Sequence, residues 1–167
     1  MHLFINYAHS DKDQVEQMVN LLRENGHHVW FEKLLPKQDW TADLLAAITA
    51  CHAMIYALSP DSVGVEWCQW EVAQAVRLGK PIIPLVVRTP VNIPPMLTGL
   101  SWVDISEGVD ENTVLPLLTD LTNMKDFITS PDSAHEFPEH PHGIPAQAMG
   151  TIVPPGMRGG GPQATEE

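Results

Sequence analysis

Two side chains near the middle of the sequence have the types and spacing to act on a sugar bond. Glu71 and Trp67 lie four residues apart in a stretch whose apolar residues recur at helical spacing, so both side chains share one face of a predicted helix. A carboxylate beside a sugar stabilises the positive charge that builds up on the ring as a glycosidic bond breaks. Glu71 is therefore the candidate catalytic group, with Trp67 as an aromatic wall beside it.

The structural alternative for Glu71 is an exposed helix carboxylate, which is the usual state of a lone glutamate. On either interpretation we expect the position to be exposed and to tolerate alanine. Glu66 is a weaker catalytic candidate, because a carboxylate in the first turn of a helix simply favours the helix dipole.

Three aromatic residues flank a loop predicted at residues 32–39, namely Trp30, Phe31 and Trp40. Such rings either stack on a base or another flat ring, or they fill the core. We place Trp30 in the core. Both roles remain open for Phe31 and Trp40, which we include among the candidate ligand-binding residues.

Small and basic residues complete the candidate ligand site. Ala8 and His9 follow the first predicted strand, where His9 either contacts a ligand or caps the turn. Lys33 and Lys37 lie in the loop, where their charge suits a pyrophosphate, although loop lysines are usually just solvated. Of the two lysines, Lys33 is the candidate.

The elements that position these residues are short apolar runs alternating with amphipathic stretches, from Leu3 to about Leu121. This alternation predicts an α/β fold with a parallel sheet. The predicted strands cover residues 3–7, 28–31, 53–58, 81–87 and a short stretch around 102–103. In such a sheet, ligands bind outside the carboxyl ends of the strands, where the candidate residues meet.

Four helices are predicted between and after these strands. Ser10 and Asp13 form a capping pair for the first helix, which Gly26 ends. The second starts after a cap at residue 39 or 41, and the third covers residues 66–78, closed by Gly79. The last starts near residue 112 or 113, with Leu115, Leu118 and Leu121 as its apolar stripe.

Charge and composition exclude several classes of function. The formal net charge of −12 argues against binding of nucleic acid, which normally requires a basic stripe, but not against one small anionic ligand. No apolar run is long enough to span a membrane and no secretory signal is visible, so we expect a cytoplasmic protein. The two cysteines, Cys51 and Cys68, are predicted to be buried small hydrophobes.

The composition changes towards the carboxyl end of the chain. Residues 129–167 are rich in proline, glycine and histidine, and such a segment buries too little apolar area to offset its ordering entropy. We predict one folded domain at residues 1–128 followed by a disordered tail. The tail histidines lack the spacing of a structural zinc site, so no metal is expected.

Several motifs, in order, resemble those of Toll/interleukin receptor (TIR) domains of the bacterial, NAD-cleaving type. Residues 4–11 (FINYAHSD) resemble the first box of the family, with Asn6 where serine is commoner. Residues 29–32 and 35–40 resemble the second box and the BB loop, with Lys37 in place of a glycine. Residues 58–62 (LSPDS) and 66–71 (EWCQWE) resemble the stretch leading into the third helix, and residues 79–85 resemble the fourth strand.

The resemblance covers about residues 3–125 and implies a flavodoxin-like fold with five parallel strands flanked by helices. It implies that Glu71 matches the catalytic glutamate, that NAD is a substrate with no further cofactor, and that the domain self-associates or binds other TIR domains. It leaves hydrolysis and cyclisation of the ribose product open, as well as roles in bacterial immunity, virulence or housekeeping signalling.

Two other functions compete with NAD cleavage. A non-enzymatic TIR adaptor would use its surface only for contacts with other TIR domains, and it would need no carboxylate at position 71. A phosphoacceptor receiver domain of the same fold would need an aspartate at the end of the third strand, where the sequence has Leu58, Ser59 and Pro60.

Overall fold

The computed structural model describes residues 1–31 and 40–129, which form a parallel sheet with helices on both faces. The strands pair in the order β2-β1-β3-β4-β5, and each neighbouring pair is parallel. The predicted five-stranded α/β fold is confirmed. The strands are β1 (His2–Asn6), β2 (His28–Trp30), β3 (Ala53–Leu58), β4 (Ile82–Val86) and β5 (Val103–Asp104).

Four helices cover the two faces of this sheet. One face packs against α1 (Lys12–Glu24) and α4 (Glu111–Thr129), and the other packs against α2 (Trp40–Ala50) and α3 (Glu66–Arg77). The predicted loop at 32–39 and residues 130–167 of the predicted tail lie outside the described residues.

Alternation along the strands divides the core into two clusters. Successive side chains of a strand point to opposite faces of the sheet, so Leu3 and Ile5 join the cluster under α1 and α4, whereas Phe4 joins the one under α2 and α3. Asn6 continues the series of Phe4. A polar side chain is therefore directed at the α2 and α3 face, at the carboxyl end of β1.

One prediction about a helix start is wrong. Ser10 does not cap α1, because a short 3-10 turn at His9–Asp11 comes before the helix and the Ser10 hydroxyl donates a hydrogen bond to Asp61 instead. For α4, Asp110 and Thr113 cap each other's backbone N–H groups. This cap starts the helix at Glu111, close to the predicted start near residue 112 or 113.

The apolar stripe of α4 also differs from the predicted one. Its buried positions are Val114, Leu117 and Leu121, whereas Leu115 is 59% exposed. Leu118 is half-buried at the edge of the stripe. Spacings of three and four residues fit either set, and only the packing against α1 and β5 selects one.

Trp30 is not in the core, contrary to prediction, since it is 38% exposed. It ends β2, a three-residue strand at the edge of the sheet. A side chain on an edge strand has a neighbouring strand on one side only, so a large ring there remains partly in solvent.

Two other local predictions, on the glycines that end helices and on the buried cysteines, are confirmed. Gly26 and Gly79 both have positive φ and follow the C-cap residues of α1 and α3, as expected of residues that end helices. Cys51 and Cys68 are both buried. Among the helices in the described ranges, none has both the length and the apolar composition needed to cross a membrane.

Candidate active site

Glu71 lies in the second turn of α3, where this helix packs against β1, β3 and α2. The turn at residues 59–65 carries the chain from the carboxyl end of β3 into α3, which places the amino-terminal half of the helix over that edge of the sheet. Glu71 is 1% exposed. The expectation of an exposed helix position is wrong, because the neighbouring elements enclose this face of α3.

Asn6 holds the Glu71 carboxylate from the end of β1. Its amide nitrogen Nδ2 donates hydrogen bonds to Glu71 Oε2 at 2.7 Å and to the backbone carbonyl oxygen of Cys68 at 2.9 Å. Asn6 is itself fully buried. The two bonds join the last residue of β1 to one full turn of α3, 65 residues away in sequence.

A tyrosine that the sequence did not single out lies on the neighbouring strand. Tyr56 pairs with Asn6 across β1 and β3, is buried, and donates its hydroxyl to the backbone carbonyl of Ser62 at 3.4 Å. Burial first, and then the nearby Cys68 and Glu71, raise the pKa of Tyr56 well above its ordinary value. The hydroxyl therefore stays protonated, and Tyr56 contributes a neutral polar group on the Glu71 side of the sheet.

Trp67 is half-buried, one turn of α3 before Glu71. Its ring meets that of Trp70 edge to face, with the centroids 5.6 Å apart and an angle of 82° between the planes. This arrangement suits the quadrupoles of the two rings. Its role as an aromatic wall for a ligand stays a prediction.

The residues after β1 and β2 differ in their exposure. Ala8 is buried and His9 is exposed in the 3-10 turn. Phe31 is 8% exposed, and its ring stacks on Tyr7 with centroids 5.1 Å apart. The Tyr7 hydroxyl donates to the Phe31 carbonyl at 3.1 Å, so the Phe31 ring occupies the core, one of the two positions that the sequence left open.

Two predicted ligand-binding residues cannot be placed with the others. Lys33 lies outside the described residues, and so does Lys37. Trp40 begins α2, but its side chain lies outside the described part of the chain. Contacts of Ala8, His9, Phe31, Lys33, Trp40 and Trp67 with a ligand all stay predictions.

A charged cluster that the sequence did not reveal joins three loops at the same edge of the sheet. Arg88, which follows β4, forms an ion pair through Nε with Asp11 Oδ1 at 2.9 Å and through Nη2 with Asp61 Oδ2 at 2.6 Å. Ser59 donates a short hydrogen bond to Asp11, and Ser10 donates to Asp61 at 2.7 Å. The turn after β1, the turn after β3 and the end of β4 are thereby fixed together.

Hydrogen bonds account for the electrostatics of this cluster. Those from Ser10 and then Arg88 hold the pKa of Asp61 below its ordinary value. Hydrogen bonds to Asp61 and then Asp11 raise the pKa of Arg88. The single guanidinium bridges both carboxylates, and the described residues contain no group of three or more ligands that fits a metal ion.

The receiver-domain alternative requires a phosphate acceptor at this same edge of the sheet. In receiver domains the phosphate acceptor follows the third strand, and here β3 ends at Leu58 and continues into Ser59. Asp61, the nearest carboxylate after it, lies in the turn and is engaged by Arg88. The described residues therefore offer no phosphoacceptor in that place.

Comparison with known proteins gives a family-level match. The family model described as TIR domain matches residues 3–118. No curated protein matches the chain.

Several solved structures share the fold. The TIR domain of the Toll-related receptor TRR-2 from the lower metazoan Hydra magnipapillata has a TM-score of 0.60 at 20% identity, covering 74% of this chain and 97% of that one. The TIR domains of the activated Roq1 resistosome, which directly recognises the pathogen effector XopQ, have a TM-score of 0.57 at 14% identity, covering 72% and 98%. A prokaryotic SEFIR domain has a TM-score of 0.52 at 13% identity, covering 83% and 98%.

Proposed function

The chain belongs to the TIR domain family, and from this premise we propose that it cleaves the nicotinamide–ribose bond of NAD, with Glu71 as the catalytic carboxylate. Nicotinamide leaves as a neutral molecule and takes the bonding electron pair with it. In hydrolysis a water molecule then attacks the ribose carbon, giving ADP-ribose and releasing one proton. In cyclisation the adenine of the same molecule makes that attack.

The observation that supports this proposal is the carboxylate of Glu71, buried at the carboxyl edge of the sheet and held by Asn6 at 2.7 Å. The pyridinium leaving group needs little acid help, so the main requirement is stabilisation of positive charge on the ribose. A fixed carboxylate in a site with little water meets that requirement more strongly than one in solvent.

The burial of Glu71 also means that the proposed reaction requires a structural rearrangement. At 1% exposure, the carboxylate reaches a ribose only after the side chains that cover it have moved. Self-association, which the resemblance implies for this family, would supply the energy for that rearrangement through differential binding of the open state. We include activation by self-association in the proposal.

The same burial favours a second candidate function, that of a TIR adaptor that binds other TIR domains without catalysis. In that case Glu71 is a structural group that ties α3 to β1 through Asn6. The two functions differ in one observable: only the enzyme releases nicotinamide.

The test is product analysis of the full chain incubated with NAD, both free and fused to an oligomerising module. We expect nicotinamide together with ADP-ribose or cyclic ADP-ribose. Glu71→Gln, which keeps the shape but removes the charge, should lower the rate by about 100-fold or more. Glu66→Gln is the matched control, since Glu66 is exposed in the first turn of the same helix, and it should retain the parent rate.

Two outcomes would change the assignment. If the parent releases no nicotinamide even when fused to the oligomerising module, the adaptor function replaces the enzymatic one. If Glu71→Gln cleaves NAD as fast as the parent, another group is responsible for the chemistry.

A further inference from the structure

Asn6 donates hydrogen bonds to two acceptors on α3, one of which is the Glu71 carboxylate. We propose that Asn6 is a positioning residue, which fixes the orientation of Glu71 and keeps it ionised for the reaction. This inference rests on the proposed function, because it names the residue that prepares the catalytic group. Asn6 acts through Glu71 and is not itself required to touch the substrate.

The orientation of the Asn6 amide follows from its partners. The backbone carbonyl of Cys68 can only accept hydrogen bonds, so the nitrogen of the amide must face it. That nitrogen lies 2.9 Å from the Cys68 oxygen and 2.7 Å from Glu71 Oε2. The amide therefore donates to Glu71, and the carboxylate is held relative to the backbone of its own helix.

The hydrogen bond that Asn6 donates opposes the effect of burial on the ionisation of Glu71. Enclosure in a medium of low dielectric constant favours the neutral acid, whereas a hydrogen bond donated to a carboxylate favours the charged form. A neutral carboxylic acid would lose most of its ability to stabilise positive charge on a ribose. The bond from Asn6 is thus a contact that suits Glu71 to the proposed reaction.

The other end of the Asn6 amide provides independent support. Its oxygen Oδ1 is buried and has no hydrogen-bond partner among the described residues, and an unsatisfied buried acceptor is unfavourable. An apolar side chain at this position would avoid that penalty. The chain instead keeps an amide whose two donors are both used, as expected where a local rule is broken at a functional site.

The first experiment does not depend on catalysis. The side-chain carboxyl carbons of glutamate are labelled with carbon-13, the Glu71 signal is assigned by its absence in Glu71→Gln, and its titration is followed by NMR. In Asn6→Leu we expect the midpoint to rise by about one pH unit, because the donor to the charged form is lost. Asn6→Ser retains a hydroxyl donor and should lie between Asn6→Leu and the parent.

The matched control is Gln14→Leu. Gln14 lies in α1 and donates to the backbone carbonyl of Ile105 on the opposite face of the sheet. This variant also removes one side-chain amide and its hydrogen bond, so it tests for general loosening of the fold. It should leave the Glu71 midpoint unchanged. If Asn6→Leu does not fold, Asn6→Ser against Gln14→Leu gives the same comparison with a smaller shift.

The second experiment measures NAD cleavage by the oligomerised protein as a function of pH. For Asn6→Leu we expect kcat to fall by about 10-fold or more with KM within about two-fold, since orientation and charge of Glu71 act mainly in the transition state. The acid limb of the profile should move to higher pH by the same amount as the NMR midpoint. If Asn6 had a purely structural role, its substitution would change the stability of the fold without moving the acid limb of the pH profile.

Each outcome of these two experiments either supports or overturns the inference about Asn6. An unchanged Glu71 midpoint in folded Asn6→Leu overturns the inference, as does a shifted midpoint with unchanged kcat. If the parent cleaves no NAD but the midpoint still rises, the proposed function fails, while control of the Glu71 charge by Asn6 stands.

Discussion

At the scale of single residues, burial determines what Glu71 contributes to the molecule. An exposed carboxylate would be nearly neutral for stability, whereas this one is 1% exposed and accepts a hydrogen bond from the fully buried Asn6. Removal of a buried acceptor leaves its donor without a partner, and that desolvation penalty adds to the loss of the bond. Catalytic and structural effects of substitutions at Glu71 must therefore be separated by experiment.

We expect Glu71→Ala to be less stable than Glu71→Gln by about 1–3 kcal/mol. Glutamine retains an oxygen that can accept from Asn6, whereas alanine leaves both a cavity and an unpaired donor. Urea unfolding followed by circular dichroism measures the difference, with Glu66→Ala as the control for an exposed position of the same helix. Equal midpoints for the alanine and glutamine variants would show that the Asn6 bond adds little to stability.

At the scale of elements, the edge of the sheet that contains the candidate site is fixed at two places. Asn6 joins β1 to α3, and Arg88 joins the end of β4 to the turns that contain Asp11 and Asp61. The two carboxylates differ in their surroundings: the Asp11 side chain is 1% exposed and that of Asp61 is 51% exposed. The loss of Arg88 should therefore act mainly through Asp11.

We expect Arg88→Met to lower the melting temperature more than Asp61→Asn does. Methionine leaves the buried Asp11 carboxylate with Ser59 as its remaining side-chain donor, a change of about 1–3 kcal/mol for a buried acceptor. Asp61→Asn removes only a solvent-screened part of the cluster. Thermal unfolding of the two variants checks this order, and similar melting temperatures would mean that the bond from Arg88 to Asp11 is not a main support of this edge.

At the scale of the whole molecule, net charge and the covered carboxylate together predict how the proposed activity depends on assembly. The formal net charge is −12, so copies of the chain repel one another at low ionic strength. At physiological ionic strength the screening length falls to about 8 Å, which weakens that repulsion. Moderate salt should therefore favour association.

We expect the specific rate of NAD cleavage to rise with protein concentration and to be low for the monomer. Association would stabilise the state in which Glu71 is uncovered, so fusion to an oligomerising module should remove the dependence on concentration. The measurement is specific activity across a dilution series at low and moderate salt, with light scattering on the same samples. Constant specific activity from a demonstrated monomer would contradict this prediction.

The sequence by itself determined the order and type of the elements, because hydrophobic periodicity is a local property. The sequence predicts the third strand at residues 53–58, where the structure has Ala53–Leu58, and predicts the start of the third helix at residue 66, where α3 begins. Parallel pairing followed from the alternation of strands and helices. That topology also predicts that Ala8, His9 and the start of α3 meet at the carboxyl edge of the sheet.

Tertiary structure alone decided the environment of each of these residues. Glu71 is buried because three elements enclose one face of α3, and helical spacing indicates which residues share a face but not what covers it. The bonds of Asn6 to Glu71 and of Arg88 to Asp11 join residues 65 and 77 positions apart. Such contacts leave no periodic pattern in the chain, since they depend on which strands become neighbours and how the helices pack on them.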